Sequence, residues 1–268
     1  MQATTPPAPP GLPPLFAGVL RSEARKLRTV RSTTWALLAA LGFTIATAAL
    51  LGILLPGHLS AREQATIDST RLSLGGLHLS QIAVGVLGVL AITSEYSSGM
   101  IRATLAAVPQ RRLMLTAKAL VLTAATLATA TAASFAAYLT FQAALPAGDA
   151  MRTTLATPGV LRAVTSAGLY LTILALLGFG LGTIIRSSAG AVAVLFGALF
   201  VPTLLTALLP QAWQDTIAPY LPMNAAETAY TVHHQAHTLQ PWAGLGVFSL
   251  YTAAALTAGF ILIVRRDA

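Results

Sequence analysis

The sequence predicts an all-α polytopic membrane protein: six transmembrane helices, an N-terminal amphipathic interfacial helix, and a short cytoplasmic helix between spans two and three. Three observations lead there. Of the 268 residues, 55% are hydrophobic and only 9% charged, where a soluble domain carries about 25% charged residues. Six apolar runs are each long enough to cross about 30 Å of hydrocarbon, which takes about 20 helical residues. The basic residues lie between those runs and favour one side. The formal charge of +8 is therefore read as orientation in a charged bilayer rather than as affinity for nucleic acid.

Residues 1–14, MQATTPPAPPGLPP, hold six prolines and no charge. They lack the basic start of a secretory signal and read as a disordered Pro-rich tail. The remainder, 15–268, reads as one six-helix transmembrane domain. Leu15 to Arg31 places Leu15, Val19, Leu20 and Leu27 on or near one helical face. Arg21, Arg25, Lys26 and Arg28 take the other, the pattern of a helix lying along the membrane surface. The spans follow at roughly Trp35–Leu55, Leu74–Thr93, Leu113–Leu145, Val164–Ile185, Ala189–Leu209 and Trp242–Val264. Backbone groups in lipid must bond internally, so each run is expected to be a helix. None alternates as a barrel strand would. Gly75, Gly76, His78 and Gln81 make the start of span two polar, so its boundary is the least defined. Gly85, Gly88, Gly178 and Gly182 suit close helix packing, and Pro202 is placed to bend span five.

Charge orients the bundle. Arg21, Arg25, Lys26, Arg28, Arg31, Arg102, Arg111, Arg112, Lys118, Arg186, Arg265 and Arg266 fall on one side, against Arg62, Arg71, Arg152 and Arg162 on the other. The side with twelve is expected to be cytoplasmic. Both termini then face the cytosol, in a multi-pass protein of the cell (plasma) membrane. Six spans and the charge bias agree independently.

Several functions are disfavoured. There is no cysteine, so thiolate chemistry and disulfides are excluded. The only lysines are Lys26 and Lys118, and neither follows a glycine, so no phosphate-cradling ATPase loop exists. The span centres lack Asp, Glu, Lys and Arg, which weighs against an ion-coupled carrier. The segment SSG, Ser97–Gly99, faintly resembles part of a serine nucleophile motif, but no histidine lies on its side. The chain is expected not to be an enzyme, with no catalytic, cofactor-binding or metal residues of its own. His233 and His237, four apart, have the spacing of zinc ligands, but only Glu227 is near, and a solvated outer loop is the plainer reading.

The stretch EYSSGMIRATLAAVPQRRLMLTAK begins where span two leaves the bilayer. Ser97 or Ser98 can cap a new helix, which Pro109 ends. Ile101, Leu105 and Val108 share a face of that helix, with Arg102 away from it. Such an element either floats on anionic headgroups or inserts into a groove on a cytosolic partner. Here the sequence resembles the membrane subunits of type 2 ATP-binding-cassette (ABC) exporters. Glu95, Tyr96, Gly99, Arg102, Leu105, Pro109, Arg112 and Lys118 fall on that family's signature, and YLPMNAAE, Tyr220–Glu227, resembles its outer segment. Met100 departs from the pattern, where a threonine is usual.

The resemblance implies a permease for efflux, whose coupling helix after span two docks on a separate ABC ATP-binding subunit that binds the ATP. A second permease subunit, identical or different, completes the pathway, with cargo passing near spans two and five. The implied coupling residues are Glu95, Tyr96, Ser98, Gly99, Ile101, Arg102, Leu105, Val108, Pro109, Arg111 and Arg112. Ser98–Val108 would act as a lever, pinned by Glu95 to Arg102 or Arg112 through an exposed pair worth about 1 kcal/mol. A non-transporting membrane module, such as a sensor or assembly factor, is the alternative on the same scaffold.

Overall fold

The computed structural model describes residues 12–107, 110–206, 208–233 and 237–265. The chain is an all-α polytopic membrane protein. Six of its helices are long and apolar enough to span a bilayer. In order, the elements are α1 (Leu12–Thr29), α2 (Arg31–Leu54), α3 (Ala61–Thr66), α4 (Ser69–Ser73), α5 (Leu77–Ser97), α6 (Met100–Ala107), α7 (Arg111–Ala144), α8 (Val160–Ile185), α9 (Ser188–Thr206), α10 (Gln211–Ile217), α11 (Pro222–Ala229) and α12 (Pro241–Arg265). The spans are α2, α5, α7, α8, α9 and α12.

Most predicted boundaries shift by a few residues, α2 and α8 each starting four residues early, and three shifts bear on the site. α1 begins at Leu12, so residues 12–14 leave the expected tail and join the helix. Pro13 and Pro14 lie in its first turn, where backbone N–H groups have no intrahelical partner to lose. The rest of the tail, 1–11, lies outside the described residues. α5 starts at Leu77 rather than Leu74, because Gly75 and Gly76 form a turn against α2. A Cβ on Gly76 would sit 2.6 Å from the Phe43 carbonyl oxygen. α5 also runs one turn past Thr93, to Ser97, which carries Glu95 inside the helix.

α8 is the central post, packed by α5, α7 and α12, with α2 against α5 and α7 and α9 on α8. Hydrocarbon offers no hydrophobic drive between helices, so small residues that let backbones approach decide the packing. The predicted glycines form the α5–α8 seam. A Cβ on Gly88 would lie 2.0 Å from the Ala175 carbonyl oxygen, and one on Gly178 would lie 2.7 Å from that of Gly85. Span hydroxyls are satisfied locally or across a seam: Thr93 and Thr183 donate to carbonyls four residues back, and Ser80 donates to Ala40 O at 2.7 Å. Buried Gln81 accepts from Tyr170 Oη. α9 continues through Pro202 to Thr206. The exposed faces of α2, α9 and α12 are apolar, with Trp35, Ile53, Leu204 and Leu250 among their outward residues.

Candidate functional site

The last turn of α5, the middle of α1 and the start of α7 meet at the basic end of the bundle. α1 packs on α7 through a face that includes Val19 and Glu23, both buried. Glu95 of α5 is only 6% exposed, and Lys118 of α7 equally so. The Glu95 Oε1 atom accepts from Lys118 Nζ at 2.8 Å and from Lys26 Nζ at 2.9 Å. Glu23 Oε1 accepts from Lys26 at 2.9 Å, and Glu23 Oε2 from Lys118 at 2.6 Å. Each ammonium thus bridges two carboxylates, and the four charges cancel. Burial opposes the Lys26 ammonium, but its hydrogen bonds to Glu23 and Glu95 outweigh that and hold its pKa above the usual lysine value. Among the described residues, Glu95 Oε2 has no hydrogen-bond partner.

This arrangement corrects the expected pinning. Glu95 pairs with the two lysines, and neither Arg102 nor Arg112 is its partner. Both arginines are exposed. Lys26, assigned to the polar face with Arg21, Arg25 and Arg28, instead turns inward, while those three arginines are exposed. Glu23 is not among the expected site residues. Its signal was its spacing: Val19, Glu23 and Lys26 recur at helical intervals on one face. The chain's only two lysines meet its carboxylates here, where a compact ammonium with three donors can bridge two acceptors.

The other signature residues have distinct places. Tyr96 lies under the guanidinium of Arg186, 5.2 Å from ring centroid to Cζ, a cation–π contact tying α5 to the end of α8. The Ser97 and Ser98 hydroxyls donate back to Ser94 O at 3.1 and 2.7 Å. They close α5 rather than cap the next helix. Gly99 takes φ +72°, a left-handed turn that side chains disfavour, and so separates α5 from α6. Ile101 is buried and belongs to the central hydrophobic core. The Ile101 side chain itself is therefore turned onto the bundle. Arg111 donates to Ile263 O at 3.0 Å, closing the C-terminal turn of α12 where carbonyls lack intrahelical partners. Val108 and Pro109 lie outside the described residues, as does the Leu105 side chain. Among the described side chains of α6, Met100, Arg102, Ala103 and Ala106 are exposed.

Beside the ion cluster lies a cavity of about 760 Å³ bounded by α1, α2, α5 and α7, with Glu95, Lys26 and Lys118 among its lining. At the opposite end, Glu227 of α11 accepts from His78 Nε2 at 3.0 Å and Arg71 at 3.3 Å. Burial raises its pKa, but those two partners outweigh it and leave Glu227 below the ordinary carboxylate range. Glu227 is thus already engaged, and His233 meets Asp68 through its backbone N–H at 3.1 Å. The described residues next to His233 and His237 are not helical, and residues 234–236 lie outside the described set. No group of three metal-ligating side chains occurs among the described residues.

Comparison of the chain with protein-family models finds no match. Comparison with curated proteins likewise finds none.

Proposed function

We propose that this chain is the membrane-spanning subunit of an ABC exporter in the cell membrane. It would pair with a second permease subunit and receive motion from a separate ATP-binding subunit on the cytosolic side. The carrying observation is the junction at Glu95. Four residues of the resembled signature, Glu95, Tyr96, Gly99 and Lys118, meet there in separate mechanical roles. Lys118 and Glu95 lock α7 to α5, Tyr96 reaches α8, and Gly99 turns the chain into α6.

The mechanism follows from rigidity. α6 is seated on the bundle by Ile101, and the turn of chain before it carries Glu95. A force on α6 is therefore passed to α1, α5 and α7 together, since separating any of them pulls apart buried opposite charges. Rigid-body rocking of these helices would alternate access to the pathway. The ATP-binding subunit would touch Met100 and Arg102, with the exposed arginines of α1 on the adjacent surface.

Isolation of the chain from its native membrane tests this. An ATP-binding subunit should co-purify in equal amount, ATP should drive cargo-dependent flux in sealed vesicles, and Arg102→Glu should cut both without lowering thermal stability. Flux that persists without nucleotide, or that collapses with a proton or sodium gradient, would overturn the reading.

A further inference from the structure

The cavity beside the ion cluster is mostly apolar. Ile82, Val86 and Leu90 of α5 form a stripe along it, and Trp35 of α2 and Val121 of α7 add to the wall. Ile82 and Trp35 are exposed, so the apolar part opens where the bilayer would lie. From Ser94, beside the cluster, to Ile82 the helix runs about 18 Å. That is close to the depth of one leaflet of a hydrocarbon core about 30 Å thick. Of the cluster's four charged side chains, Lys26 is the accessible one, 32% exposed against 5–8% for Glu23, Glu95 and Lys118. Both carboxylates already accept from both ammoniums. Lys26 gives two of its three N–H donors to them. What the cluster offers a ligand is therefore a cation with a donor to spare. The surroundings carry the same sign. Arg21, Arg25, Arg28 and Arg31 are exposed, while the one acid of α1, Glu23, is buried. Val30, Ser32 and Thr33 line the cavity where α2 begins, and no side chain caps that helix end, whose backbone N–H groups favour an anion. A second groove of about 430 Å³ shares Leu27 and Thr33 with the cavity. It repeats the pairing of a cation, Arg28, with apolar residues of α2, Leu37, Leu38 and Leu41.

We propose that the elbow between α1 and α2 seats an acidic phospholipid from the leaflet on the basic side of the bundle. Its phosphate lies on Lys26 and the start of α2, and an acyl chain fills the cavity along Leu90, Val86 and Ile82. Charge complementarity selects the head: four exposed arginines and an accessible ammonium attract a net negative lipid, and a zwitterionic one brings them no net charge. Depth selects a bilayer lipid, because the stripe accommodates a chain that stays in its own leaflet. The site belongs to this chain alone, so it stands or falls separately from coupling to any ATPase.

The test uses the full chain in phosphatidylcholine nanodiscs carrying a small fraction of a lipid with a photoreactive diazirine in its acyl chain. With a phosphatidylglycerol probe, labelling should saturate and map to α2 and α5. At equal loading it should exceed labelling by a phosphatidylcholine probe at least about tenfold, since each nearby Lys or Arg favours an anionic head severalfold. Val86→Trp and Ile82→Trp each narrow the path of the chain without touching a charge. Both should abolish the label and leave the melting temperature within a few degrees. Arg28→Gln with Arg31→Gln should lower phosphatidylglycerol labelling at least about fivefold. Arg102→Gln with Arg112→Gln removes as much exposed charge elsewhere on the basic side and should leave labelling unchanged. These four arginines are on the surface, so the two pairs decide the matter even where a tryptophan perturbs the fold. Equal labelling by the two probes would mean an apolar groove filled by any lipid, and equal loss in the two arginine pairs would mean diffuse attraction to a basic surface. Either result, or labelling that survives both tryptophans, would overturn the proposal.

Discussion

The ion cluster makes a quantitative demand. Lys118→Met leaves Glu23 and Glu95 sharing Lys26, a buried net charge of minus one. Glu95→Gln leaves two lysines on Glu23, a net plus one. The side chains are 7% and 8% exposed and 2.8 Å apart, so neither residual charge is well solvated. Their mutual attraction is about 6 kcal/mol at an effective dielectric of 20, offset largely by desolvation. Removing one partner of such a pair costs about 3–5 kcal/mol. The double variant Lys118→Met with Glu95→Gln restores neutrality around Glu23 and Lys26. It should cost about 2–3 kcal/mol less than the sum of the single effects. Reversible unfolding in mixed detergent micelles, followed by tryptophan fluorescence, measures all three. Additive losses, or single variants within about 0.5 kcal/mol of the wild type, would refute the claim that buried charges join α1, α5 and α7.

Three further outcomes follow from separate contacts. Gly88→Val should destabilise by at least the upper end of the overpacking range of about 1–3 kcal/mol, since a Cβ there meets the Ala175 carbonyl oxygen at 2.0 Å; a melting curve matching the wild type would dismiss the α5–α8 seam. Gly99→Ala should cost about 1–2 kcal/mol through its left-handed φ alone, with open space around its Cβ, and thermal unfolding measures it. Because the Glu227 pKa is depressed in the fold, its contribution is complete above the unfolded value near 4.5 and lost as pH falls through the folded one. The stability gap between wild type and Glu227→Gln should therefore be full at pH 7 and close as the medium is acidified below that value; a gap independent of pH would exclude this pairing.

The spans were legible because hydropathy and length are properties of local composition. All six came through, and the packing glycines of α5 and α8 were readable from residue size. What sequence could not supply was direction around each helix. Lys26 sits among arginines and reads as one more surface cation, but its face is set by where α7 lies. Ile101 has the periodicity of an exposed ridge, yet its own side chain packs into the core, and only the tertiary arrangement sets that. Glu95 was picked out by its place at the end of an apolar run. Its partners, Lys26 and Lys118, are distant from it in sequence, and the helical spacing that joins Glu23 to Lys26 does not say that Glu95 lies beside them. The serines after it read as caps of the next helix and close the previous one instead, because the same hydroxyl can donate backward or accept forward.

The depth of the cluster explains why charges can be kept here at all. At the bilayer centre a single carboxylate or ammonium costs about 2.5–3.5 kcal/mol on the lenient scale. Four such groups would make a span unstable without perfect pairing. One turn from the end of α5, with exposed arginines nearby, that cost falls, and cross-pairing of two lysines with two glutamates removes net charge. Well-packed apolar residues could hold three helices together at less desolvation cost. They would also allow sliding, because dispersion contacts vary smoothly over a methyl group. Charge pairs at 2.6–2.9 Å do not: a shift of one helix by a residue breaks two bonds and strands a buried ion. The cluster therefore fixes register more than it adds stability, and register is what the proposed transfer of a push from α6 into three helices would need.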